Sequence, residues 1–274
     1  MSSRLSIRLR SLHSKGEKAM GIFLTSGFPH PDVTNLLLDA VDQGEADFIE
    51  LGMPHSDPLA EGLPIQRSST RALKAGATME STLDAVIQFR KQSETPLLLM
   101  GYINPIYRFG IENFCAQASS AGVDGLIIPD LPPQEAPLLR EHARNHNLDM
   151  VFLVAPNTPT ERMNEIDLLS SGFVYCVSIT GLTGTGLEGK VEQINTYLKR
   201  ANEAILQNPL LVGFGIQTRE DAARLSKHTN GFIVGSAVVN KIEHLWAQGN
   251  LSLPQRCQYL THFVRSLKLT VNPK

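Results

Sequence analysis

Eight short, continuously apolar runs recur along this 274-residue chain, and a stretch with helical spacing follows each of them. The runs are apolar throughout rather than alternating with polar residues, as strands buried on both faces of a sheet require. Strict alternation of strands and helices over this length is typical of a closed (β/α)8 TIM barrel. We therefore predict strands over residues 21–26, 48–53, 96–103, 125–129, 150–155, 173–179, 210–214 and 232–234.

An open, doubly wound parallel sheet is the alternative architecture for the same alternation. Such a sheet usually carries its phosphate-binding glycines after the first strand. In this chain they follow the sixth, seventh and eighth predicted strands, so the barrel is preferred. No linker, low-complexity stretch or charge run divides the chain, and residues 1–274 are predicted to form a single domain.

The first fifteen residues combine arginines and serines without an acid, a composition that also occurs in transit peptides. Leu5, Leu9 and Leu12, however, fall on one helical face. The first predicted strand begins near Met20, which leaves no room for a segment to be discarded. We therefore predict an extra amphipathic N-terminal helix in front of the barrel.

Composition limits the classes of function. The chain is 42% hydrophobic and 19% charged with a formal net charge of −2, which predicts a soluble protein without a nucleic-acid partner. No apolar run approaches the roughly 18 residues of a membrane span, so no membrane partner is expected. Cys115, Cys176 and Cys257 lack metal-binding or CxxC spacing, which predicts reduced thiols and a cytoplasmic protein.

Three acids lie within twelve residues at the second predicted strand. Glu50 interrupts its apolar run, and Asp57 and Glu61 follow in the next loop. A charge inside a buried strand is costly unless it is paired or neutralised. One interpretation is a capping acid with two solvated loop acids. The other is a general acid–base site at the mouth of a parallel β-structure, where raised carboxylate pKa values are useful.

Glycines cluster after the last three predicted strands. Barrels commonly bind phosphate at the loops after strands seven and eight, helped by a helix N-terminus. Any one of these glycines alone is explained by a tight turn, but three sites at one corner favour phosphate binding. The residues concerned are Gly184, Gly186, Gly213, Gly215, Gly235 and Ser236.

The chain has no cluster with metal-ligand spacing, no Ser/His/Asp arrangement and no lysine on a predicted strand to form a Schiff base. These features predict proton transfer on a phosphorylated small molecule, with no metal. The sequence resembles the tryptophan synthase alpha chain family in six blocks that span essentially its whole length: LGMPHSDPLAEG, LLLMGYINPI, GLIIPDLP, the glycine loop at 181–184, GFGI and GSAVV.

The resemblance implies cleavage of indole-3-glycerol phosphate to indole and glyceraldehyde 3-phosphate without a cofactor. It also implies a tryptophan synthase beta chain as partner, in an α2β2 heterotetramer that receives the indole. By position, Glu50 matches the principal acid–base carboxylate, Glu61 the carboxylate that holds the indole N–H, and Tyr175 a tyrosine near the substrate. The implied substrate contacts are Thr183, Gly184, Gly215, Gly235 and Ser236, and Asp57 matches a loop acid at the partner interface.

Four positions depart from the family pattern: Glu61 for aspartate, Leu63 for proline, His55 for an aromatic residue and Ile179 for arginine. They bear on rate and loop closure more than on the class of reaction. His55 is interpreted as a hydrogen-bonded loop residue, with a catalytic base as the alternative. Two further functions stay open at this point: a stand-alone indole-releasing lyase, and a catalytically weak subunit that mainly regulates a beta chain.

Overall fold

A computed structural model of the chain describes residues 3–177 and 191–269. Its eight strands are all parallel and pair in chain order, and β8 pairs with β1 to close the barrel. This confirms the predicted (β/α)8 fold. The strands are β1 Ala19–Thr25, β2 Phe48–Gly52, β3 Leu97–Met100, β4 Gly125–Ile127, β5 Asp149–Val154, β6 Val174–Cys176, β7 Leu210–Val212 and β8 Gly231–Val234.

Helices surround the barrel, and their buried faces pack on the outer side of the strands. Short 3₁₀ helices cover Pro31–Val33 and Ser226–His228. The α-helices are α1 Arg4–Ser14, α2 Thr34–Gln43, α3 Leu63–Lys74, α4 Met79–Arg90, α5 Ile103–Phe109, α6 Ile111–Ala121, α7 Pro137–Asn145, α8 Thr160–Leu169, α9 Val191–Ala204, α10 Arg219–Leu225, α11 Ser236–Ala247 and α12 Leu253–Leu267.

Helix α1 closes the end of the barrel at which the strands begin. Leu5, Leu9 and Leu12 are buried, which confirms the predicted N-terminal helix. Its arginines bind acids at strand starts: Arg4 Nε lies 2.8 Å from Asp124 Oδ1, and Arg8 Nη2 lies 2.7 Å from Asp47 Oδ1. The buried acids at this end therefore have cationic partners.

Several predicted boundaries are wrong. The apolar run at 96–103 predicts one long strand, but β3 ends at Met100 and α5 begins at Ile103, whose amide donates to Asp130. The predicted strands 125–129 and 210–214 are also too long, since β4 ends at Ile127 and β7 at Val212.

The cysteines Cys115, Cys176 and Cys257 are all unpaired. Within residues 3–177 and 191–269, no helix combines the length and the apolar character needed to cross a membrane.

Candidate active site

A cavity opens at the carboxyl end of the barrel, where the strand ends and the following loops meet. Strand side chains that point into the barrel form its floor, and the loops after β2, β7 and β8 form its walls. Seven of the predicted site residues line this one cavity: Glu50, Glu61, Tyr175, Gly213, Gly215, Gly235 and Ser236. Apolar side chains complete the lining, among them Phe23, Ile65, Met100, Leu153, Phe214 and Ile233.

Glu50 lies in the middle of β2, level with Phe23 on β1 and Leu98 on β3. Its side chain is fully buried, and within the described part of the chain neither carboxyl oxygen has a hydrogen-bond partner. Burial, and secondarily the charge of Glu61, raises the pKa of Glu50 well above its ordinary value. Burial therefore favours the protonated form of this carboxyl group, which offers a transferable proton at the cavity floor.

The absence of a partner distinguishes Glu50 from the buried acids at the opposite end. Asp47 binds Arg8 and Lys268, and Asp124 binds Arg4 and Arg90. A buried carboxyl group without a partner lowers the stability of the fold, and it does so most when it is ionised. This position is therefore better explained by chemistry than by folding.

Glu61 reaches the cavity from the loop after β2. It stands directly before Gly62, the N-cap residue of α3, and its backbone carbonyl accepts a 3.0 Å hydrogen bond from Gln66 Nε2. Burial raises its pKa to about 7. The carboxyl group therefore changes charge near neutral pH, in the same cavity as Glu50.

Tyr175 lies on β6 and is fully buried beside the acids. Burial, with the charges of Glu50 and Glu61, raises its pKa well above the ordinary value, so it is a neutral phenol. The ring of Tyr175 leaves room only for a glycine directly after β7, because a Cβ at Gly213 would lie 2.1 Å from Tyr175 Cε2. The sequence predicts Gly213 as a phosphate glycine, and the structure adds this packing role.

The glycine-rich corner, formed by Gly215, Gly235 and Ser236, borders the same cavity, and a Cβ at Gly62, the residue after Glu61, would lie 3.4 Å from Ser236 Oγ. Gly215 has a φ of 67°, a left-handed conformation that other residues rarely adopt. Gly235 is the N-cap of α11, with no side-chain cap, and Ser236 begins the helix. The first amides of this 12-residue helix and the Ser236 hydroxyl are donors of the kind that bind phosphate.

The remaining predicted residues lie elsewhere. Asp57 is exposed on the loop after β2 and does not line the cavity. Thr183 and Gly184, like Ile179, lie outside the described residues. His55 stacks on the ring of Tyr102, with centroids 4.7 Å apart. Sequence reasoning missed Tyr102, although its place at the C-terminal end of the predicted strand 96–103, at the same end of the barrel as the acids, was a usable signal.

In the described residues, no three His, Cys, Asp or Glu side chains lie close enough to hold a metal ion. The neutral Glu50, the titrating Glu61 and the amide-rich corner suit proton transfer on a phosphorylated small molecule. The fold and the site thus define a TIM-barrel acid–base enzyme.

Comparison with known proteins identifies the family. The family model described as tryptophan synthase alpha chain matches residues 9–268. The tryptophan synthase alpha chain of Alkaliphilus metalliredigens (strain QYMF) is 42% identical over 249 residues, covering 89% of this chain and 90% of that relative. The alpha chain of Picosynechococcus sp. is 41% identical over 260 residues, covering 93% and 97%.

Solved structures agree with these sequences. The alpha subunit of tryptophan synthase from Legionella pneumophila str. Paris is 37% identical with a TM-score of 0.86, covering 97% of this chain and 99% of that chain. A chain of the tryptophan synthase complex from Pyrococcus furiosus is 39% identical with a TM-score of 0.80, covering 92% and 98%. The chain belongs to the tryptophan synthase alpha chain family, and it is a lyase of tryptophan biosynthesis that cleaves indole-3-glycerol phosphate.

Proposed function

We propose that Glu50 carries the proton transfers of this cleavage. The observation that supports the proposal is its fully buried carboxyl group, which has no partner among the described residues and a raised pKa. The neutral acid gives its proton to C3 of the indole ring, so that the ring becomes an indolenine. The resulting carboxylate then takes the proton of the side-chain hydroxyl while the C3–carbon bond breaks and the aldehyde forms. Glu50 ends protonated as it began.

Glu61 is proposed as the acceptor of the ring N–H. Positive charge develops at nitrogen as C3 is protonated, and a carboxylate at this position stabilises it. Glutamate is one methylene longer than the aspartate of the family pattern, and its loop ends directly after it, at Gly62, the N-cap residue of α3. Tyr175, a neutral phenol between the two acids and Gly213, is proposed to bound the site on the β6 side.

The phosphate of the substrate is proposed to bind at Gly215, Gly235 and Ser236. The supporting features are the amides at the start of α11 and their position in the same cavity as Glu50. Thr183 and Gly184 are proposed as further substrate contacts from their match to the family alone.

A beta-chain partner in an α2β2 assembly is also proposed. Near Asp57 in sequence, two large apolar side chains are exposed as on a docking surface: Leu59 of the loop at 69% and Leu63, the first residue of α3, at 70%. The structural relative from Pyrococcus furiosus comes from a tryptophan synthase complex. We further propose a single domain over 1–274, because strands from Ala19 to Val234 close one barrel. A cytoplasmic setting is proposed as well.

The test is an assay for indole released from indole-3-glycerol phosphate by the purified chain, with and without its cognate beta chain. We expect release by the chain alone and faster release with the partner. No indole under either condition would contradict the proposed mechanism. Release that a beta chain neither binds nor changes would favour a stand-alone lyase.

A further inference from the structure

Tyr102 connects two parts of the loop that carries Glu61. It follows β3, is only 7% exposed, and its Oη accepts a 3.0 Å hydrogen bond from the amide of Ala60. Ala60 is the residue directly before Glu61. The contact therefore holds the peptide from which the Glu61 side chain leaves the backbone.

The same tyrosine also contacts the start of this loop. Its ring stacks on His55 with an interplanar angle of 19°. His55 is itself fixed by Ser69 of α3, whose Oγ accepts from the His55 amide and donates to the His55 carbonyl, both at 2.7 Å. Tyr102 thus packs on a fixed point at one end of the loop and hydrogen-bonds to the other.

The far side of Glu61 is held as well, because Gln66 Nε2 donates to its carbonyl oxygen. With Ala60 fixed before it and Gln66 after it, the direction of the Glu61 side chain depends on both contacts. We propose that Tyr102 is a positioning residue for Glu61, acting through Ala60 and supported by the stacked ring of His55. The inference rests on the proposed role of Glu61 and deepens it.

The phenol suits this role over the working pH range. Burial, and then the Glu61 charge, raises the pKa of Tyr102 above its ordinary value, so the hydroxyl remains a neutral acceptor for the Ala60 amide. His55 differs from the aromatic residue of the family pattern, yet its ring keeps the stacking contact. The histidine is thus explained by packing and needs no role as a base.

Tyr102→Phe keeps the stacked ring and removes only the acceptor. We expect kcat to fall by about 10-fold, the effect of one lost hydrogen bond, with KM nearly unchanged. Tyr107→Phe is the matched control, because Tyr107 lies on α5, for which Tyr102 is the N-cap residue, and is 53% exposed. His55→Ala should lower kcat as well, and His55→Phe should restore it.

Two readouts separate positioning from simple packing. In a Glu61→Gln background, Tyr102→Phe should cost no further activity, since its effect passes through Glu61. The kinetic pKa of Glu61 should also fall in Tyr102→Phe, because a looser loop admits water and burial is what raises that pKa. A full 10-fold loss in both backgrounds, or an unshifted pH profile, would overturn the proposal.

Amide hydrogen exchange tests the contact without the reaction. Exchange at Ala60 should be about 10-fold faster in Tyr102→Phe than in the wild-type chain or in Tyr107→Phe. An unchanged rate overturns the positioning role even if indole is released normally. If the Ala60 amide exchanges faster in Tyr102→Phe but the wild-type chain releases no indole, the contact is established and the proposed role of Glu61 in catalysis is contradicted.

Discussion

Glu50 and Glu61 line the same cavity, and the charge of Glu61 raises the pKa of Glu50 beyond the effect of burial. Burial raises the pKa of Glu61 to about 7 and that of Glu50 well above its ordinary value. The two steps of the reaction require a protonated Glu50 together with an ionised Glu61.

This coexistence predicts a bell-shaped dependence of kcat on pH. Glu61 must be ionised to accept the ring N–H, so kcat should rise as pH increases through about 7. Glu50 must be protonated to donate a proton to C3, so kcat should fall again at higher pH as Glu50 ionises. A pH–rate series on the wild-type chain and Glu61→Gln checks both limbs. The variant should retain only the alkaline limb, and an acid limb that survives in it would remove Glu61 from this role.

Glu50→Gln should lower kcat by roughly 10²–10⁴-fold, the usual contribution of a positioned acid or base. The amide fills nearly the same space, so the variant should remain folded, and loss of an unpaired buried carboxyl group should not lower its Tm. Steady-state indole release and thermal melting are the two measurements. Glu203→Gln is the control, because Glu203 is an exposed residue near the C-terminal end of α9. Near-normal turnover of a folded Glu50→Gln protein would exclude Glu50 from the mechanism.

We expect substitutions in the glycine-rich corner to weaken substrate binding rather than to slow the chemical step. Gly215→Val places a branched side chain at a φ of 67°, and Gly235→Val adds atoms where a Cβ is already 3.3 Å from Ile65 Cδ1. Both should raise KM steeply because phosphate can no longer approach the amides. Gly249→Val is the control, since nothing lies within 4 Å of its Cβ position. Equal binding of a dephosphorylated substrate to the wild-type chain would contradict a phosphate site here.

The barrel and the acid pair were predictable because both leave strong local signals. Strands buried on two faces are continuously apolar, and a single carboxylate such as Glu50 is conspicuous inside one. Strand ends were less predictable. An apolar run indicates that residues are buried, but it does not show which groups their backbone amides bond to. Tyr102 and Ile103 were therefore predicted as strand residues, although the Ile103 amide donates to Asp130.

Helix α3 is hard to predict from the sequence for a related reason. Its buried face consists of the small residues Ser68, Ser69 and Ala72, which produce little apolar periodicity. The positioning role of Tyr102 was also beyond sequence reasoning. It depends on a ring stack and a hydrogen bond to two points of a loop 42 and 47 residues away in sequence, and no local pattern reports such contacts.

The last prediction concerns the loop from Pro54 to Glu61 and a beta-chain partner. Its ends are held at His55 and Ala60, whereas Asp57 and Leu59 between them are exposed. A partner that covers these exposed residues would favour the ordered loop and so the productive position of Glu61. Loops of this kind often limit turnover until they close over the substrate.

We therefore expect slow indole release by the isolated chain and activation by about 10-fold or more with the beta chain, a coupling near 1–3 kcal/mol. By linkage, bound substrate should strengthen subunit binding by the same factor. Asp57→Ala should weaken the activation and leave the basal rate nearly unchanged, because Asp57 does not line the cavity. Titration of the beta chain against the wild-type chain, Asp57→Ala and the control Glu203→Ala measures both effects. A beta chain that binds tightly yet alters neither the rate nor the affinity for substrate would contradict the coupling.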